Sequence, residues 1–144
     1  SISKTSLIVR AAKGIIDKIQ SMPHPGIPTD LQPQLGVLST QTAGWTLIHE
    51  PLYEKRLEYL KELSKMGARS KILDLHRAIV YGPTKLKGAK VDAQDLRTGA
   101  ALIIAGLAAH GTTIVNGAQY VERGYENLDG RLRALGADIK RAND

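Results

Sequence analysis

One order of short motifs runs through this chain twice, and it constrains the fold more than any single residue does. Thr29-Asp30-Leu31 opens an apolar segment, followed by Gly44-Trp45-Thr46-Leu47-Ile48, Tyr53, Arg56 and Met66-Gly67-Ala68. Gln94-Asp95-Leu96 opens another, followed by Gly111-Thr112-Thr113-Ile114-Val115, Tyr120, Arg123 and Leu135-Gly136-Ala137. Upstream, Leu7-Ile8-Val9-Arg10 and Lys13 to Asp17 correspond to Ala78-Ile79-Val80-Tyr81 and Lys87 to Asp92. The copies, residues 6–75 and 77–142, are each about 70 residues long, well beyond the roughly 33 to 47 of helical solenoid repeats. Two mixed α/β units are expected, each running strand, strand, helix, strand, helix, strand.

Ser6 to Ala11 and Gly14 to Ile19 read as strands, and the prolines of Met22 to Pro28 bar regular structure from the loop that follows. Thr29 reads as a helix N-cap, with Gln32 completing a capping box and Leu31, Leu35 and Leu38 forming an apolar stripe up to Gly44. Trp45 to His49 reads as a short buried strand. Leu57, Leu60, Leu63 and Met66 mark a helix that Gly67 stops. Lys71 to Leu75 and Ala78 to Tyr81 follow as strands, and Gly82-Pro83 as a turn. Asp95 to His110 is an Ala-rich helix, apolar nearly all round and so expected to be buried on most sides. A strand over Thr112 to Asn116, a helix over Glu126 to Leu135 and a strand over Asp138 to Arg141 complete the chain. Such a pattern suggests sheets outside and helices packed within, related by pseudo-rotation. The loops at Thr29, Leu52, Asp95 and Arg123 then gather at one rim.

Composition narrows the chemistry. The chain has 144 residues and no cysteine, which excludes a disulfide scaffold, a thiolate metal site and a thiol nucleophile carried on these residues. No apolar run approaches the roughly 18 residues of a membrane span, and Ser1 to Thr5 lacks the apolar core of a signal peptide, so a cytoplasmic location is the default. A formal charge of +6 favours anionic partners. A basic RNA-binding module is one reading, but the Lys and Arg are scattered and only 4% of residues are aromatic, leaving few platforms for stacked bases. His24, His49, His76 and His110 show no metal-ligand spacing.

The polar positions that recur are an Asp and an Arg in each copy. Asp30 and Asp95 fall in first helical turns, where the helix dipole alone favours a carboxylate by about 0.3 to 1 kcal/mol. Asp92 is an equally good N-cap for the second helix. Arg97 fits less well, because its charge opposes the dipole, and an Arg so placed is expected to face an anion. Arg56 and Arg123 each follow a Tyr, with Glu54 or Glu122 nearby. They read as surface ion pairs contributing about 0 to 1 kcal/mol, or as guanidinium groups gripping carboxylate or phosphate.

The strings "PHPGIPTDLQPQ", "LYEKR", "DAQDLRTGAALIIAGLAAHGTTIV" and "VERGYENLDGRLRALGADI" together resemble the carboxy-terminal part of the UDP-N-acetylglucosamine 1-carboxyvinyltransferase (MurA) family of enolpyruvyl transferases. The likeness runs from about Ser6 to Arg141. The sibling 3-phosphoshikimate 1-carboxyvinyltransferases share the repeated fold, but the proline loop and "RGYE" resemble the cell-wall enzyme more closely. The resemblance implies two domains of threefold βαβαββ repeats, an inside-out α/β barrel with helices inside, and an active site in the cleft between them. This chain then supplies about two units of one domain, lacks the domain bearing the reactive Cys, and is expected to be inactive alone.

The resemblance also implies roles. Asp30 matches the carboxylate that takes the proton of the sugar 3-hydroxyl as it attacks phosphoenolpyruvate, and Leu52 matches a backbone contact to the UDP-sugar. Asp95 matches a second carboxylate of the chemical steps, with Arg97 beside it. Arg123 matches the arginine that binds phosphoenolpyruvate, and Arg56 is a further partner. The implied reaction joins enolpyruvyl to UDP-N-acetylglucosamine with release of phosphate, the first committed step of peptidoglycan synthesis. It needs no cofactor or metal, and no nucleic acid or membrane as partner.

Overall fold

The computed structural model describes residues 15–142. The expected strand over Ser6 to Ala11, and Gly14 of the next, lie outside the described residues. The elements run β1 (Lys18–Gln20), α1 (Gln32–Ser39), β2 (Gly44–His49), α2 (Tyr59–Lys65), β3 (Arg69–Ile72), β4 (Arg77–Gly82), β5 (Lys90–Asp92), α3 (Leu96–Ala108), β6 (Ile114–Asn116), α4 (Ala118–Glu122) and α5 (Leu128–Ala134). The fold is mixed α/β, as the motif order implies.

A parallel strand-helix-strand unit occurs twice. β1 pairs in parallel with β2, Ile19 opposite Ile48, across α1. β5 pairs in parallel with β6, Val91 opposite Val115, across α3. The remaining pairing departs from a simple tandem. β4 follows the sequence boundary between the copies yet lies antiparallel between β2 and β3, giving one four-stranded sheet of order β1-β2-β4-β3. The second sheet contains β5 and β6.

The core lies where one face of the larger sheet meets the helices. Thr46 and Ile48 of β2 and Ala78 and Val80 of β4 point inward, as the two-residue period of a strand requires. Against them pack Val37 of α1, Leu60 and Leu63 of α2, Met66, and Ala101, Leu102 and Ala105 of α3. Each fully buried Leu or Ile here contributes about 1.5 to 3 kcal/mol by leaving water. Helix α3, rich in Ala and apolar, lies against α1, α2 and α4, as its apolar circumference predicts.

Several sequence expectations need correction. Trp45 to His49 is half-buried, not buried, because alternate side chains face outward and Trp45 is 56% exposed opposite Tyr81. Helix α1 ends at Ser39, and Gly44 instead opens β2 with a φ of 91°. The third strand spans Arg69–Ile72, shifted toward the amino terminus from Lys71 to Leu75. The last helix begins at Leu128, after Asn127 in the left-handed region, and α4 had no sequence forecast. Among the described residues Asp138 to Arg141 forms no strand and makes no sheet pairing; the segment is anchored by charge, with Arg141 paired to Asp129 at 2.8 Å and to Glu122.

Candidate active site

The site is built from the start of α3. Asp95 is the N-cap, with extended backbone, and Asp92 instead ends β5. Its Oδ1 accepts the backbone N–H groups of Arg97 at 2.8 Å and Thr98 at 3.2 Å, and its Oδ2 accepts the Thr98 hydroxyl at 2.7 Å. These bonds satisfy donors that the first helical turn leaves free. Burial works to raise the Asp95 pKa, but the Thr98 hydroxyl, the two N–H groups and the Arg97 charge outweigh it, and the net shift is downward.

Asp30 uses its carboxylate differently. The expected Thr29–Gln32 capping box is absent: the N-cap of α1 is Leu31, with no side-chain cap, and the Thr29 hydroxyl donates elsewhere. The Asp30 carboxylate, 58% exposed, therefore reaches away from its own helix. It accepts a hydrogen bond from Arg97 Nε, across from the other strand-helix-strand unit. Arg56 Nη1 approaches the same oxygen at 3.8 Å, an ionic contact without a hydrogen bond, and that nitrogen is buried. Arg97 Nη1 also lies 3.9 Å from Asp95 Oδ1. Arg97, expected to face an anion, faces two. Arg56, read beside Glu54, is paired with Asp30 instead.

These four residues alternate in sign, so each charge is offset by its neighbours while the carboxylate of Asp30 stays open to solvent. Arg56, Asp95 and Arg97 border a depression of about 620 Å³, with Glu54, Lys55, Glu58 and Gln94. Arg56 stacks over the ring of Tyr53 at 4.7 Å. Tyr53 in turn lines a second depression of about 490 Å³ that holds Leu52, Thr29 and the proline loop from Met22 to Pro28. Leu52 thus lines the depression that Tyr53 shares, not the one bordered by Arg56, Asp95 and Arg97.

Arg123 lies at the C-cap of α4, not at a helix N-terminus, and stacks over Tyr120 at 5.4 Å. The spacing repeats that of Tyr53 and Arg56. Among the described residues Arg123 has no ion pair, and the neighbouring Glu122 is paired with Arg141. The two residues that follow Arg123 reach the cluster's neighbourhood. Gly124 packs so closely on Leu96 that an added Cβ would lie 2.9 Å from its Cδ1, and the Tyr125 hydroxyl accepts a hydrogen bond from Gln34 Nε2 of α1 at 3.0 Å. Burial, then the charge of Asp30, raises the Tyr125 pKa. The geometry thus joins Asp30, Arg56, Asp95 and Arg97 directly, and brings Gly124 and Tyr125, the residues after Arg123, against Leu96 and Gln34.

Sequence reasoning missed Glu50, which is fully buried at the end of β2. A lone carboxylate between an apolar strand and Pro51 carried no spacing signal, and its partners come from residues 21, 29 and 52. It also missed the Gln34–Tyr125 bridge, although Tyr125 lies within the recognised "RGYE".

Comparison with known proteins supplies the family. The model of EPSP synthase (3-phosphoshikimate 1-carboxyvinyltransferase) matches residues 2–132. A curated UDP-N-acetylglucosamine 1-carboxyvinyltransferase 2 from Caldanaerobacter subterraneus subsp. tengcongensis is 46% identical over 88% of this chain and 30% of its own length. A UDP-N-acetylglucosamine 1-carboxyvinyltransferase from Halothermothrix orenii is 49% identical over 85% of this chain and 29% of its own. The chain thus spans about 30% of these relatives. The crystal structure of the enolpyruvyl transferase NikO from Streptomyces tendae matches with a TM-score of 0.81 at 33% identity, covering 89% of this chain and 29% of that one. EPSP synthase from Acinetobacter baumannii, at 17% identity and a TM-score of 0.72, shares the fold over 90% of this chain and 32% of its own. The chain belongs to the enolpyruvyl transferase family, and most of its length corresponds to a portion of the UDP-N-acetylglucosamine 1-carboxyvinyltransferases.

Proposed function

We propose that these residues form part of a UDP-N-acetylglucosamine enolpyruvyl transferase of peptidoglycan synthesis, acting in the cytoplasm. The observation that carries this reading is the Asp30 carboxylate, left uncommitted by its own helix and held by Arg97 from the other unit. A base must reach the proton it removes, and a carboxylate fixed by two guanidinium groups on an open face meets that demand. Asp30 takes the proton of the sugar 3-hydroxyl while its oxygen bonds to C2 of phosphoenolpyruvate. C3 takes a proton from an acid on the remainder of the enzyme. A base on the enzyme then takes a proton from the C3 methyl group as the bond between C2 and the phosphate oxygen breaks, which expels phosphate and restores the vinyl group.

Arg123, Arg97 and Arg56 offset the negative charge of the phosphate and carboxylate. Asp95 acts in the chemical steps as a fixed anion that aims Arg97, and the Leu52 segment contacts the nucleotide sugar. The parallel units and the matched Tyr–Arg stacks support tandem βαβαββ units, 6–75 and 77–142, of an inside-out barrel, with Asp30 in the frame of Asp95 and Arg56 in that of Arg123. The partner domain carries the remaining groups, so these 144 residues alone are inactive.

The test is phosphate release from phosphoenolpyruvate by the full-length enzyme with UDP-N-acetylglucosamine or shikimate 3-phosphate as acceptor. Turnover with the nucleotide sugar, reduced at least about 100-fold by Asp30→Asn, is expected for loss of a general base. Unchanged turnover in Asp30→Asn, preference for shikimate 3-phosphate, or phosphate release by the 144 residues alone would each overturn the reading.

A further inference from the structure

Glu50 is a buried carboxylate that the proposed chemistry does not use. It is 0% exposed. Its Oε2 accepts the hydroxyl of Ser21 and, at 2.8 Å, that of Thr29, while its Oε1 accepts the backbone N–H of Leu52 at 3.2 Å. Its backbone is tied as well. The Glu50 N–H donates to the His76 carbonyl at 2.7 Å, and its own carbonyl lies 2.8 Å from His76 Nδ1, which must therefore carry the proton.

One side chain thus spans three segments. Ser21 and Thr29 stand at the two ends of the proline loop, which is closed by Met22 N–H to the Ile27 carbonyl at 2.9 Å and anchored by Ser21 N–H to the His49 carbonyl at 3.0 Å. Leu52 begins the stretch leading to Tyr53 and Arg56. Thr29 and Leu52 line the same depression, and Thr29 immediately precedes Asp30. A buried carboxylate costs free energy unless its lone pairs are met, so the three donors fix both loops relative to the rigid end of β2.

We infer that Glu50 is a positioning residue that sets the spacing between the Asp30 turn and the Leu52 segment, and through it the binding and orientation of the nucleotide sugar. The inference rests on the proposed transferase reading. Ångström-scale misplacement of reacting groups costs about 100-fold in rate, so loss of this clamp has a kinetic signature distinct from loss of fold. Glutamine retains the shape: its carbonyl accepts from Leu52, and its amide donates to the two hydroxyl oxygens, which rotate to accept.

The experiment measures KM for UDP-N-acetylglucosamine and for phosphoenolpyruvate, with kcat, in full-length Glu50→Ala, Glu50→Gln, Ser21→Ala and Thr29→Val. Melting curves fix the folded fraction of each. Glu50→Ala is expected to raise KM for the nucleotide sugar at least tenfold and to lower kcat, with KM for phosphoenolpyruvate changed less than about threefold. Glu50→Gln restores both. Ser21→Ala and Thr29→Val shift the same constant in the same direction by smaller factors, and they carry the test if Glu50→Ala does not fold. Wild-type constants in the folded variants, or losses that only follow the unfolded fraction, overturn the inference. Asp30→Asn is run beside them: normal turnover there sinks the transferase reading, whereas an inactive Asp30→Asn with unperturbed Glu50 and loop variants sinks the clamp alone.

Discussion

The two aspartates at corresponding places in the sequence should respond very differently to truncation. Asp95 closes the first turn of α3 through two backbone N–H groups and the Thr98 hydroxyl. Losing an N-cap costs about 0.5 to 2 kcal/mol, and because α3 lies against α1, α2 and α4, fraying there loosens packing on three sides. Asp95→Ala is therefore placed near the upper half of that range, about 1 to 2 kcal/mol. Asp30 caps nothing. Its contacts to Arg97 and Arg56 are half-open to water, where an ion pair contributes about 0 to 1 kcal/mol. Urea unfolding followed by far-ultraviolet circular dichroism should give Asp95→Ala a clearly lower midpoint than Asp30→Ala, while Asp95→Asn, still a good cap, stays within about 0.5 kcal/mol of wild type. Equal losses for the two alanine variants, or an Asp95→Asn as damaged as Asp95→Ala, would refute the argument from capping.

Two further tests probe packing and charge. An added Cβ at Gly36 would lie 2.0 Å from the buried Tyr59 hydroxyl, which meets the Gln32 amide without full hydrogen-bond alignment; Gly36→Ala should cost about 1 to 3 kcal/mol by overpacking. Tyr59→Phe in the same chain should recover part of that loss in thermal melts, and an additive double variant would refute the contact. Hydrogen bonding to Arg141 leads the effects that bring the Asp129 pKa down to about 2 from 3.8, so the stabilisation is complete above 3.8 and fades as pH falls towards 2. The side-chain carboxyl carbon signal of Asp129 should titrate at lower pH in wild type than in Arg141→Ala; identical titrations would refute the pairing.

Period and punctuation made much of this architecture legible. The apolar circumference of α3 and the stop at Gly67 are local properties of the chain, and both strand-helix-strand units follow from alternating patterns separated by breakers. Capping at Thr29 was misread because the side chain has two suitors, and Glu50, distant in sequence, takes the hydroxyl that the helix would otherwise use. Asp138 to Arg141 alternates like a strand, but pairing needs a neighbouring edge, and among the described residues the segment finds carboxylates of α4 and α5 instead. Asp30, Asp95, Arg97 and Arg56 each stand out in the sequence. Their mutual pairing does not, because it depends on two units meeting in space.

The placement of β4 bears on how such a chain can be divided. A cut between Ile72 and Arg77, where the motif order suggests a seam, would separate β4 from the two strands it joins. The first half would keep β2 and β3 with bare edges, and the second would carry a lone strand with a row of unmatched amides, both prone to edge-to-edge aggregation. The copies are clasped rather than merely consecutive. Units locked in this way lose modular independence, and any piece that keeps the four-stranded sheet whole must cross the boundary and include Gly82.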